Sequence, residues 1–150
     1  MLQQTIDQDI KTAMLAKDNV RLRGLRAIKA ALLNAKTEKG ASEMLTEDAE
    51  VKVLQRLVKQ RKESSEIYET QNRPDLRQIE LEELEVIEAY LPKQMDRDAI
   101  VAHVRDTIAR SGAGSSKDMG KVMGLANKEL AGKADGKTIS EVVKELLAAL

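Results

Sequence analysis

Apolar residues recur every three or four positions along almost the whole chain, and no stretch alternates apolar and polar as a half-buried strand would. Ile6, Ile10 and Met14 mark a first amphipathic helix, roughly residues 3 to 17. Asp18 stands where it can cap a second helix, whose stripe runs Leu22, Leu25, Ile28, Leu32 and Ala35. Lys39-Gly40-Ala41-Ser42 reads as the end of that helix and a loop. Thr46 is placed to cap a long third helix, with Glu47 and Asp48 at the positive end of its dipole. Its stripe is Val51, Leu54, Leu57 with Val58, and Tyr68 after a polar turn. Continuous from 46 to 71, it would be about 39 Å long. Asn72-Arg73-Pro74 breaks the pattern, and Pro74 suits the first position of a fourth helix carrying Leu76, Ile79, Leu84, Ile87 and Leu91. Pro92 stops it.

Past Pro92 the periodic segments shorten and glycine becomes more frequent. Asp96 can cap a helix with Ile100, Val101, Val104 and Ile108, ending near Gly112. Ser115 or Ser116 can start the next, with Met119, Val122, Met123, Ala126 and Leu130 on its buried side and Gly132 after it. Thr138 and Glu141 have capping-box spacing for a last helix carrying Ile139, Val142, Val143, Leu146 and Leu147. The expectation is an all-α protein: an amino-terminal antiparallel bundle of about four helices over residues 1–92, and a small three-helix domain over 93–150. The boundary falls near residues 91 to 95.

Composition narrows the chemistry. Phe, Trp and Cys are absent and Tyr68 and Tyr90 are the two aromatics, so both cores must be aliphatic and no thiolate or disulfide is available. One histidine and scattered carboxylates give no metal-ligand spacing. His103 has only Asp106 at helical distance and reads as an ordinary surface histidine. The acidic run at 80 to 88 sits in a polar stretch, unlike a carboxylate tuned for acid or base work in an apolar pocket. No catalytic residue is expected. No amino-terminal basic-then-apolar segment and no apolar run of the ~20 residues needed to cross a bilayer are visible, so the expected location is cytoplasmic, with no membrane partner.

Residues 132 to 138, Gly-Lys-Ala-Asp-Gly-Lys-Thr, resemble a phosphate-binding loop one residue short. Such a loop needs four residues between its glycines and a strand before it; here there are three, and the preceding segment is helical. No nucleotide cofactor is expected. Gly132 instead supplies a left-handed turn, and Ala134-Asp135-Gly136 a tight one. Lys133 and Lys137 flank the amino end of the last helix, where they could seat a phosphate of a nucleic-acid backbone or simply face solvent.

Net charge is zero, with 25 basic and 25 acidic residues, unlike a dedicated nucleic-acid binder. The charges are unevenly spread. Lys17 to Lys39 holds seven basic residues against two acidic, Lys52 to Lys62 holds five and no acid, and residues 75 to 88 hold six acids against Arg77. Solvated faces, or neighbouring helices attracting one another, account for such runs. Gly120 and Gly124, four apart in one helix, imply close approach of another helix, because each glycine costs a helix about 1 kcal/mol.

Several stretches together, RLRGLRAIKAALLN at 21 to 34, LQRLVKQRKES at 54 to 64, EAYLPKQM at 88 to 95, and KDMGKVMG with AGKADGKTISEVVKELL further on, resemble the GatB/YqeY family over essentially the whole chain. The resemblance is to stand-alone YqeY-like proteins and to the tail of the B subunit of the tRNA-dependent amidotransferase. It implies a helical bundle followed by a three-helix domain, and a non-catalytic accessory that contacts tRNA. A carbon–nitrogen ligase label with glutamine as amido-N donor is inherited by family name alone, since the enzyme's other domains do not match this chain. Matching positions are Gly120, Val122 and Met123 in the glycine-containing helix and Gly132, Lys133, Ala134 and Asp135 in the turn. With two aromatics, recognition of RNA would rest on phosphates and shape. The candidate contacts are Lys117, Lys121, Lys128, Lys133 and Lys137, with Arg21, Arg23 and Arg26 as a second patch. The alternative is an adapter that docks on a protein of the translation or aminoacyl-tRNA machinery through an exposed surface of Met119, Met123 and leucines.

Overall fold

A computed structural model describes residues 1–38, 40 and 44–150. Seven α-helices account for most of it: α1 Leu2–Leu15, α2 Asn19–Glu38, α3 Glu47–Thr70, α4 Pro74–Glu88, α5 Arg97–Ser111, α6 Met119–Glu129 and α7 Gly136–Ala148. A single 3-10 turn, Ser116–Asp118, precedes α6, and no strand occurs among the described residues. The expected loop at 39 to 42 lies outside the described residues apart from Gly40, which is left-handed at φ 102°.

The helix ends follow local chemistry. Asp18 accepts the Arg21 backbone N–H at 3.1 Å, Thr46 that of Ala49 at 3.1 Å, and Asp96 that of Ala99 at 2.8 Å. Pro74 opens α4 at a position where its missing N–H costs nothing. Ser115 and Asp118 form a reciprocal capping box on the 3-10 turn. Gly112 closes α5 in the left-handed conformation. One cap differs from expectation. The last helix starts at Gly136, and its N-cap is Asp135, whose carboxylate accepts the Thr138 backbone N–H at 3.4 Å and the Thr138 hydroxyl at 3.3 Å. Thr138 is therefore a donor to the cap, two residues inside the helix.

The chain divides into two compact units, Met1–Leu91 and Pro92–Leu150. In the first, α3 packs along α4, and α2 packs against α1, α4 and α3. Its core is aliphatic: Ile6, Leu25, Ile28, Leu54 and Ile87 are each at most 1% exposed. Each such burial is worth about 1.5–3 kcal/mol. The acidic run of α4 faces the basic helices. Glu82 and Glu83 take Arg23 of α2 at 2.8 and 3.3 Å, while Glu83 and Glu80 take Arg61 of α3 at 2.8 and 3.6 Å. Burial raises the Glu80 pKa, and Arg61 opposes that shift. The charge runs are thus partly a helix-pairing device. Tyr90, just past α4, donates a short hydrogen bond to Asp9 of α1 and accepts one from Arg21 of α2 at 3.3 Å.

The second unit packs α5, α6 and α7 around Ile100, Val104, Val122, Ala126, Val142 and Val143. Met95 and Gln94 tie the chain before α5 to the α6–α7 turn. The Met95 backbone N–H donates to the Lys133 carbonyl at 2.8 Å, and the Gln94 side chain donates to the Gly132 carbonyl at 2.9 Å.

Candidate nucleic-acid interface

The second unit sorts its charges. Of its acidic side chains, Asp96, Asp118 and Asp135 are spent on caps. Asp106 and Glu129 hold Arg110, and Glu141 and Glu145 hold Arg97. Asp98 stands in the first turn of α5. Arg97 and Arg110 hold four of the unit's eight acidic side chains, and Lys117, Lys121, Lys128, Lys133 and Lys137 form no ion pair among the described residues. All five are exposed. Lys121 reaches a neutral partner, the Ser111 carbonyl, at 3.0 Å.

Helical periodicity groups two of them. Within α6, positions 121, 124 and 128 fall on the side opposite Val122 and Ala126, which are fully buried, and Lys117 stands on the 3-10 turn just before that helix. This face is a line of lysines, with the exposed backbone of Gly120 and Gly124 among them. A Cβ built on either glycine meets nothing within 4 Å. The expected close approach of a second helix over Gly120 and Gly124 is therefore not found among the described residues. A glycine that does carry close packing is Gly24 of α2, where a Cβ would sit 2.7 Å from Cβ and Cγ1 of Val86 on α4. No spaced partner glycine signalled it in the sequence.

Lys133 lies on the α6–α7 turn, where Gly132 is left-handed at φ 77°, and Lys137 stands in the first turn of α7. That turn joins two helices, so the loop that resembles a nucleotide-binding motif has no strand beneath it. Between these lysines the amino end of α7 is capped by the Asp135 carboxylate, which accepts the Thr138 backbone N–H.

The arginine patch of the first unit is reduced. Arg23 is bound by Glu82 and Glu83, and Arg21 leans on Tyr90 with Asp9 at 3.8 Å. Arg26 is exposed and unpaired among the described residues. The methionine surface is partly covered. Met119 and Met123 are partly buried against the core, and the Ser140 hydroxyl lies 3.5 Å from the Met123 sulfur. His103 has a carboxylate partner that its sequence neighbours did not reveal, Glu129 of α6 at 2.5 Å. Hydrogen bonds from Arg110 and His103 hold the Glu129 carboxyl below the usual glutamate range. The trio latches α5 to α6. Among the described residues, no group of His and carboxylates is arranged to hold a metal.

These features define an all-α, two-unit protein whose second unit turns unpaired lysines outward. Comparison with known proteins agrees with the resemblance in its motifs: the YqeY-like protein family matches residues 3–147, and the chain belongs to that family. Among curated proteins it is similar to "Altered inheritance of mitochondria protein 41, mitochondrial" of several fungi. That of Pyrenophora tritici-repentis is 27% identical over 150 residues, covering 96% of this chain and 80% of the relative. That of Clavispora lusitaniae is 37% identical over 90 residues, 60% of this chain and 51% of the relative. That of Meyerozyma guilliermondii is 37% identical over 87 residues, 58% and 44% respectively. The chain thus spans about half the length of the two more identical relatives. Their names are mitochondrial, whereas a cytoplasmic location is expected from this sequence. No helix among the described residues is long and apolar enough to cross a membrane.

Proposed function

We propose that this protein is a non-catalytic accessory that contacts tRNA through backbone phosphates, using the lysine face of its second unit. The observation that carries the reading is the sorting of charge in that unit, with seven of its eight acidic side chains engaged by caps and arginines while Lys117, Lys121, Lys128, Lys133 and Lys137 are outward and form no ion pair among the described residues. Lysine is a flexible point charge suited to sequence-independent phosphate contact. The bare backbone at Gly120 and Gly124 lets a sugar–phosphate chain come closer than side chains would allow. The likeness to the amidotransferase tail supports the choice of tRNA. Chemistry on an aminoacyl group has no support from the residues present.

Filter binding of total tRNA against salt tests the reading. Binding is expected at low ionic strength and should weaken steeply as salt rises. Replacing Lys117, Lys121 and Lys128 together with glutamine should lower affinity and reduce the magnitude of the log–log salt slope by about 2–3. Undetectable binding at low ionic strength, or a triple variant that binds like the parent, would remove the proposal. A cytoplasmic site of action goes with it, and cell fractionation decides between that compartment and the mitochondrial one in the relatives' names.

A further inference from the structure

The outward face of α3 carries a charge pattern that the first unit leaves unused. Positions 52, 56, 59, 63, 66 and 70 form one stripe at 3.6 residues per turn. The side chains there, Lys52, Arg56, Lys59, Glu63, Glu66 and Thr70, are all exposed. The ion pairs of this helix are made instead by Arg61, Lys62 and Glu69. Lys59 and Glu63 are four apart, but in the order that pairs less well along a helix. The stripe is segregated by sign, positive in its first half and negative in its second.

Such a face is complementary to itself reversed. Two copies of α3 laid antiparallel, with a twofold axis opposite residue 61, set Lys59 against Glu63 of the second copy and Arg56 against Glu66. Each pairing then occurs twice, as a twofold interface requires. A parallel arrangement would oppose like charges. The acidic half also has shape: Glu63, Glu66, Ile67, Thr70 and Gln71 line a shallow open groove, and Ile67 is 54% exposed. In the antiparallel register this groove faces Lys52 and Arg56 of the other copy. Their aliphatic stems can lie on Ile67 while their cations reach the carboxylates. We propose that α3 is a self-association surface that pairs two copies of this chain antiparallel, weakly and in a salt-sensitive way.

Sedimentation equilibrium of the full chain tests it. A concentration-dependent dimer is expected at low salt, weakening at least about tenfold between about 50 and 500 mM salt as the exposed pairs are screened. The acidic variant Arg56→Glu with Lys59→Glu, and the basic variant Glu63→Lys with Glu66→Lys, should each be monomeric alone and form a heterodimer when mixed. Combining all four substitutions should restore the homodimer. All four positions are exposed, and unchanged circular dichroism checks that each variant is folded. A parent chain that stays monomeric at low salt overturns the proposal, as does a charge-reversed variant that dimerises like the parent. A monomeric parent whose tRNA affinity falls in the acidic variant also overturns it, and assigns the face to RNA.

Discussion

Gly24 and Gly124 both lie within α-helices, and the space around each decides what a methyl group would do. At Gly24, an added Cβ would come within 2.7 Å of two atoms of Val86, a branched side chain on the neighbouring helix. Gly24→Ala should destabilise by about 1–3 kcal/mol, because α2 and α4 must separate to admit it. At Gly124, the same methyl meets open space. Gly124→Ala should stabilise by about 0.5–1 kcal/mol through helix propensity alone. Urea denaturation of the two variants measures both signs. If Gly124→Ala also weakens tRNA binding, the stability forgone at this glycine is explained by close approach of a ligand.

At the scale of elements, the helices are joined by ionic contacts whose pH dependence can be worked out. Glu129 links α6 to Arg110 and His103 of α5, and those hydrogen bonds depress its pKa. A carboxylate with a depressed folded pKa contributes stability above its unfolded value, and that stability is lost as pH falls through the folded value. The latch should therefore be intact at neutral pH and weaken below the ordinary glutamate range. Glu129→Gln should flatten the acid limb of the second unit's melting curve, which circular dichroism at a series of acidic pH values would show. Equal acid sensitivity in parent and variant would mean that the latch contributes little, as exposed pairs often do.

At the scale of the molecule, the chain holds two separate aliphatic clusters, one in each unit. Both tyrosines, Tyr68 and Tyr90, lie in the first. Tyrosine fluorescence therefore reports one unit, and far-ultraviolet dichroism reports both. Ile100 is 1% exposed in the second cluster. Ile100→Val should cost about 1 kcal/mol and lower the melting of that unit by about 4–8 °C. The dichroism transition should broaden or split while the tyrosine transition stays in place. A tyrosine transition that moves with it would show that the two units unfold as one.

Helix content, most caps and the aliphatic stripes were readable from the sequence because they depend on contacts within four residues. The 3.6-residue spacing shows most of the buried side of each helix, although Met14 and Ile79, expected on those stripes, are 55% and 39% exposed, and Asp18, Thr46, Pro74 and Asp96 act on their own first turns. The start of the last helix is ambiguous in the sequence because Asp135 and Thr138 both have cap chemistry, and backbone geometry decides between them. The lysines could be named in advance, but whether they were free could not. That depends on where Glu129, Glu141 and Glu145 meet Arg110 and Arg97, and two of those carboxylates are more than 40 residues from their arginine. The same holds for Arg23, spent on α4, and for His103, whose carboxylate comes from another helix. Gly120 and Gly124 had the right spacing for helix packing, while Gly24 carried the contact, since a close approach belongs to two elements and only one of them holds the glycine. Local sequence determined which segments are helical and which side of each is apolar. Tertiary structure alone decided which charges are left for a partner, because a charge is free only when every opposite charge near it has been used elsewhere.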